Sequence, residues 1–275
     1  MKTLMDVQEL QDRMTSGAQT ILLDVRWSLG DPHGHEHYRK AHIPGAVYVD
    51  LESQLCAPGG PGLGRHPLPD AAALQEAARQ WGLNDGDAVV AYDDAGNLAA
   101  ARLWWLLRDA GVLDVRLLDG GLTAWRAAGF GTEGGEETHC VGNVHLSSGI
   151  MPVVSLPDVL DPVAVDLLLD ARAGERFRGD HEPVDPRAGH IPGAISAPTA
   201  DNLGEDRRFL PSAEMRRRFV ALAADHGNVA VYCGSGITAA HEIAALEIAG
   251  IPAALFPGSW SQWSTTAGLP VATGA

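Results

Sequence analysis

Cysteine is scarce in this chain of 275 residues: three are present, Cys56, Cys140 and Cys233. An odd number with no C-x-x-C spacing excludes a disulfide framework and a thiolate metal site, so free thiols in a reducing compartment are expected. No apolar run approaches the roughly 18 residues that a membrane-spanning helix needs. The N-terminal Met1-Lys2-Thr3-Leu4-Met5-Asp6 lacks the apolar stretch of a secretory signal, which leads to the expectation of a cytoplasmic protein. Cations are also short, with 20 Lys and Arg against 35 Asp and Glu and a net charge of −15. That excess repels nucleic acid and anionic lipid, so neither nucleic acid nor membrane is expected as a partner. Histidine is better supplied, with 11 residues, and His33, His35 and His37 cluster beside Glu36. With no cysteine or distant ligand to complete a set, they read as a solvated turn, and no metal is expected.

What the chain does have is a repeat. Ala41-His42-Ile43-Pro44-Gly45-Ala46 returns as Gly189-His190-Ile191-Pro192-Gly193-Ala194. Leu22-Leu23-Asp24-Val25-Arg26 returns as Leu168-Leu169-Asp170-Ala171-Arg172, and Asp119-Gly120-Gly121 with Trp125 as Pro257-Gly258-Ser259 with Trp263. The order is the same in both halves, so a duplicated domain is expected. Each half alternates short apolar runs with amphipathic stretches, the pattern of an α/β fold with a parallel sheet flanked by helices. Strands are expected at Ile21–Leu23, Ala88–Tyr92, Val165–Leu169, Val229–Tyr232 and Ala253–Phe256. Asp6 with Glu9 marks a helix start, and a second helix runs from Ala71 to Trp81 between Asp70 and Gly82. Ser212 caps another that should end near His226-Gly227. Residues 131–152, rich in Gly, Glu, Thr and Ser, read as a linker between domains at 1–130 and 153–275, and Cys140 in that linker reads as a thiol without a role.

Chemistry concentrates in Val229-Ala230-Val231-Tyr232-Cys233-Gly234-Ser235-Gly236-Ile237-Thr238, ahead of a helical pattern at Ala239–Ala249. A cysteine at the C-terminal end of a parallel strand, before a helix N-terminus, lies where open α/β sheets bind ligands and where N–H groups favour an anion. Gly234 and Gly236 allow the backbone to turn its N–H groups around the sulfur, which favours a thiolate nucleophile. The first half supplies a control. There Tyr92 matches Tyr232, and Asp93 holds the position of Cys233. A carboxylate cannot take a thiolate's place as nucleophile, so only the C-terminal half is expected to be catalytic.

Taken together, the H-I-P-G-A element in both halves, the D-G-G-x-x-x-W element with its variant, and the loop from Cys233 resemble the rhodanese family, over nearly the whole chain. The resemblance implies two tandem rhodanese-like domains, the first inactive and the second active. It implies sulfane-sulfur transfer from a small-molecule donor, through a persulfide on Cys233, to a thiol or cyanide acceptor, with no cofactor. Within that family, thiosulfate enzymes tend to carry C-R-x-G-x-T loops and 3-mercaptopyruvate enzymes C-G-S-G-[VI]-T. Here Cys233-Gly234-Ser235-Gly236-Ile237-Thr238 favours 3-mercaptopyruvate, with thiosulfate as the alternative donor and a non-catalytic persulfide-binding module behind both.

The same resemblance names further residues. Arg176 matches the family's substrate arginine, with Arg178 beside it and Arg187 as a candidate for a second; arginine suits a donor carboxylate because it binds bidentately. Mercaptopyruvate enzymes are described with a Ser-His-Asp relay, which maps here onto Ser235, onto His66 of His66-Pro67-Leu68-Pro69, and onto Glu52, with Asp50 as a neighbouring carboxylate. Trp27 would wall the pocket. A cysteine phosphatase is disfavoured, because its loop needs an arginine at the sixth position after the cysteine, where Ala239 stands.

Overall fold

The computed structural model describes residues 2–60 and 62–275; Met1 and Pro61 lie outside them. The chain forms two compact units. The first comprises Met1–Cys56, Pro69–Ile150 and Glu205–Phe209; the second comprises Ala57–Leu68, Met151–Gly204 and Leu210–Ala275.

In the first unit, strands β1 (Leu4–Met5), β2 (Thr20–Asp24), β3 (Ala46–Tyr48), β4 (Ala88–Tyr92) and β5 (Val115–Leu118) form one sheet in the order β1-β5-β4-β2-β3, parallel throughout. In the second, β6 (Leu167–Asp170), β7 (Ile195–Ser196), β8 (Val229–Tyr232) and β9 (Ala254–Leu255) run parallel in the order β7-β6-β8-β9. The second order repeats the first without β1, whose place is marked by a parallel bridge from Val153 to Leu255. Both sheets are thus α/β, and β4 and β8 have the bounds their apolar runs predict. Apolar residues on both faces explain those unbroken runs: Val89, Val90, Ala91 and Tyr92 are all buried, as are Val229, Ala230, Val231 and Tyr232.

Each core gathers around the same framework. Leu22, Ile43, Tyr92, Leu122 and Trp125 pack together in the first unit, and Leu168, Ile191, Tyr232, Trp260 and Trp263 in the second. The Tyr92 hydroxyl accepts the N–H of Ile43 at 3.0 Å, and that of Tyr232 accepts the N–H of Ile191 at 3.2 Å. These bonds tie the H-I-P-G-A turns to the central strands. Behind each strand end lies a buried ion pair, Arg26 with Asp24 at 2.7 Å and Arg172 with Asp170 at 2.6 Å.

Helix starts follow their caps. Asp6 accepts the N–H of Gln8 at 2.7 Å ahead of helix Val7–Thr15, and Asp70 that of Ala73 at 2.7 Å ahead of helix Ala71–Gln80. Two readings need correction. The helix Ser212–Ala221 ends five residues short of His226, and Ser212 is its first helical residue, after Pro211. Ala223, at φ 60°, closes the helix: the N–H of Ala224 bonds Phe219 O at 2.9 Å and that of Ala223 bonds Val220 O at 3.0 Å. That is a left-handed C-terminal closure made without glycine. The second concerns the histidines at 33–37, expected as a solvated turn: His33 and His35 are exposed, but the backbone is helical from Gly34. His35 and His37 lie in helix Gly34–Lys40, where His37 pairs with Asp31 at 3.0 Å and His35 with Glu136 at 2.9 Å.

Among the described residues no helix is long and apolar enough to cross a membrane.

Candidate active site

Strand β8 ends at Tyr232, and helix Thr238–Ile248 begins five residues after Cys233. The intervening loop holds Cys233, buried at 2% exposure, yet polar groups surround it. The N–H of Gly236 donates to Cys233 Sγ at 3.2 Å, and the N–H of Cys233 donates to Ser259 Oγ at 3.2 Å. Gly236 has φ 81°, and a Cβ on it would lie 2.7 Å from Pro257 O. Its glycine is therefore required twice over, by conformation and by space. Gly234 has a different role from the one expected. Its φ is not positive, but a Cβ on it would lie 3.3 Å from Arg65 Nη2 and 3.4 Å from Arg176 Nη1. It keeps room beside two guanidinium groups. Ile237 and Thr238 carry the loop into the helix, with Ile237 buried at its N-cap position.

Ser235 and His66 come together as expected: His66 Nδ1 lies 2.7 Å from Ser235 Oγ, and both residues are buried. If Nδ1 is unprotonated, it accepts the hydroxyl proton, and Ser235 and His66 become a proton path beside the sulfur. The remaining two residues of the expected set, Glu52 and Trp27, belong to the first unit. There Trp27 Nε1 donates to Glu52 Oε1 at 2.8 Å. Trp27 also lines a cleft of about 330 Å³ together with Arg26, His37 and Arg126.

Arg176, in the short helix Gly174–Arg178, is held by two carboxylates. Its Nε and Nη2 grip Glu182 at 3.2 and 2.6 Å, and Nη2 reaches Asp185 at 3.3 Å, which turns Nη1 toward Gly234. Arg178 pairs instead with Asp180 at 2.7 Å. Arg187 does not join Arg176. Its guanidinium donates to the carbonyls of Trp263 at 2.6 Å, Ser264 at 2.7 Å, Leu269 at 2.7 Å and Thr266 at 3.3 Å. Four carbonyls at the end of helix Ser259–Thr265 engage the side chain, which makes it a structural clamp, not a free anion receptor.

The second arginine beside the loop is Arg65, which carries no motif of its own. It forms a short ion pair with Asp185, which thereby bridges Arg65 and Arg176. Burial pushes the Asp185 carboxyl above its usual range, against the pull of Arg65. Burial also works to raise Glu182, but the bonds from Arg176 and the backbone outweigh it and hold that carboxyl low. Two cations and two carboxylates thus stand at the mouth of the loop, and Asp185 is the more readily neutralised of the acids. Ser259 was marked in the sequence only by the repeat, which sets it opposite Gly121. At φ 52° it takes the conformation of Gly121 in the first unit, and its hydroxyl anchors both Cys233 N and, at 2.9 Å, Phe256 O.

The equivalent loop in the first unit shows what this backbone binds. Asp93 is buried, and its carboxylate accepts four N–H groups, from Ala95 at 2.8 Å, Asn97 at 2.7 Å, Ala99 at 2.9 Å and Ala100 at 3.1 Å. The loop is an anion cradle whose occupant is its own side chain. Of the other thiols, Cys140 is exposed, and burial pushes Cys56 up to about 11.

The rhodanese-like domain model matches residues 6–128 and 156–266. A Pseudomonas aeruginosa protein named for 3-mercaptopyruvate sulfurtransfer is 46% identical over 280 residues, covering 98% of each chain. A Mycobacterium tuberculosis protein named for thiosulfate sulfurtransfer is 44% identical over 277 residues, covering 99% of this chain and 98% of its own. Among solved structures, the Escherichia coli 3-mercaptopyruvate enzyme superposes with a TM-score of 0.82 at 29% identity, over 95% of this chain and all of that one. Two matched copies, two sheets of one topology and relatives aligned end to end lead to one conclusion: the chain belongs to the rhodanese family and carries its domain twice.

Proposed function

We propose that the chain is a sulfurtransferase that takes sulfane sulfur from 3-mercaptopyruvate onto Cys233 and passes it to a thiol or cyanide. The Cys233 thiolate attacks the donor sulfur, the carbon–sulfur bond breaks, and the electron pair leaves as the enolate of pyruvate. The donor's thiol proton ends on that enolate carbon, giving pyruvate and a Cys233 persulfide. The acceptor then attacks the outer sulfur and returns the thiolate. Gly236 N–H stabilises the sulfur anion in both states, and Arg176 and Arg65 receive the donor carboxylate.

The observation that carries the choice of donor is the contact of 2.7 Å between His66 and Ser235. An enolate needs a proton as it leaves, whereas the sulfite released from thiosulfate does not. A thiosulfate reading draws support from the two arginines at the loop, but Asp185 and Glu182 offset their charge. Initial rates with the two donors decide between them: kcat/KM is expected to be higher for 3-mercaptopyruvate, and the reverse order would overturn the choice. Cys233→Ser is expected to abolish transfer from both. Persulfide formed on Cys233 but released to no acceptor would point to a binding module. The cytoplasm is the proposed place of action, on the strength of three cysteines that stand as free thiols.

A further inference from the structure

The first unit contains a cluster of donor atoms that sulfur transfer does not use. His42, in the H-I-P-G-A turn, is fully buried, and its Nδ1 lies 3.0 Å from the carbonyl of Tyr38. A carbonyl only accepts, so Nδ1 carries a proton, and in the neutral ring Nε2 then presents a lone pair. That Nε2 is buried and, among the described residues, meets no hydrogen-bond partner. It faces Glu133, whose Oε1 is 3.9 Å away, and Glu137 completes the group, with one ligand atom from each residue within 4.8 Å of the others. Two carboxylate oxygens and an imidazole lone pair gathered this closely repel each other unless a cation or a proton lies between them.

The duplication supplies a control. His190 occupies the same turn in the second unit, and its Nδ1 meets the carbonyl of Phe177 at 2.8 Å. The residue bridged to His190 is Ala272, whereas the one bridged to His42 is Glu133. The turn therefore does not require a carboxylate at that place, and only the N-terminal copy has one. The acidic segment is also held in register. Gly45 N–H donates to Glu133 Oε1 at 2.6 Å, and Glu137 N–H donates to the Tyr38 hydroxyl at 3.0 Å. An imidazole fixed through Nδ1–H on a carbonyl, with Nε2 aimed at the ligand, is how metal-binding histidines are commonly oriented.

We propose that His42 Nε2, Glu133 and Glu137 form a zinc site, with water as the fourth ligand. Imidazole with two carboxylates suits Zn²⁺, while Ca²⁺ and Mg²⁺ favour all-oxygen sets. The glutamates, both only partly buried, close inward on the ion, and the ion clasps the acidic segment onto the turn. The site is structural and does not depend on the sulfur chemistry proposed above.

The test is Zn²⁺ titration of the full chain carrying Cys140→Ser and Cys233→Ser, which removes competing thiolates, followed by calorimetry and thermal melting. One equivalent should bind, raise the melting temperature, and be reversed by a chelator. Glu133→Gln and Glu137→Gln keep the shape of the segment and should each weaken binding at least about tenfold. Co²⁺ should give d–d absorption without thiolate charge-transfer bands. His42→Gln tests the imidazole directly; should it not fold, the two glutamate variants suffice. Absence of saturable binding below millimolar Zn²⁺, binding unchanged in both glutamate variants, or a His42 ring found doubly protonated by NMR at neutral pH would each overturn the proposal.

Discussion

His66 Nδ1 and Ser235 Oγ stand 2.7 Å apart, although 169 residues separate them in the chain. The segment Ala57–Leu68 belongs by its contacts to the second unit, so His66 and Ser235 share one body. If this pair moves the proton, Ser235→Ala and His66→Gln should each lower kcat with 3-mercaptopyruvate by about a hundredfold, with a much smaller effect on thiosulfate. Equal losses with both donors would assign the pair a role in holding the loop. Steady-state kinetics with the two donors distinguish these outcomes.

Asp185 lies between Arg65 and Arg176, the two arginines proposed to receive the donor carboxylate. Asp185→Asn should lower the KM of anionic donors by about three- to tenfold, and more for the thiosulfate dianion. Because burial raises the Asp185 carboxyl, it gains its proton above the usual carboxylate range as pH falls. Wild-type KM should accordingly fall toward acid pH, and the variant's should not. A KM that rises on substitution would mean that Asp185 positions the arginines instead of competing for them.

The two arginines named from sequence should separate by kinetics. Arg176→Ala is expected to raise donor KM and, because it unpairs the buried Glu182 carboxylate, to lower the midpoint of unfolding as well. Arg187→Ala leaves the carbonyls of Trp263, Ser264, Thr266 and Leu269 without their donor and should cost about 3 kcal/mol in urea unfolding. Kinetics and denaturation on both variants provide the comparison.

Asp24 gives the first unit a dependence on pH. Burial raises its carboxyl from 3.8 to about 6, despite the pull of Arg26. A pKa raised on folding adds stability that is complete below the unfolded value and lost as pH climbs through the folded one. Relative to Asp24→Asn, the wild type should therefore lose up to about 3 kcal/mol between pH 4 and pH 7, read from denaturation across that window.

Much of this was visible in the sequence, for reasons that lie in particular residues. Val229–Tyr232 is buried on both faces and bounded by polar residues, so its apolar run and its strand coincide. Asp70 is a cap whose hydrogen bond is local, and local signals survive in sequence. The misreadings share a different origin. Ala223 closes a helix in a conformation that glycine normally signals. Arg187 resembles a ligand arginine because its carbonyl partners lie 76 to 82 residues further on. Arg65 escaped notice because its role depends on Asp185, 120 residues away. Ser259 was overlooked because only its place opposite Gly121 in the repeat, and not its own side chain, signals φ 52°.

The cradle around Asp93 bears on how the two halves could ever exchange roles. A tethered carboxylate reaches its four amide donors at an effective concentration that no dissolved anion matches, so those donors are already taken by the loop's own side chain. Reinstating a thiol there would meet a loop whose four N–H groups are arranged about a carboxylate, with Asn97 also pinned by its side chain to the carbonyl of Leu118 at 2.7 Å. Division of labour between the copies is in this sense locked by packing, and reversing it would take several coordinated replacements.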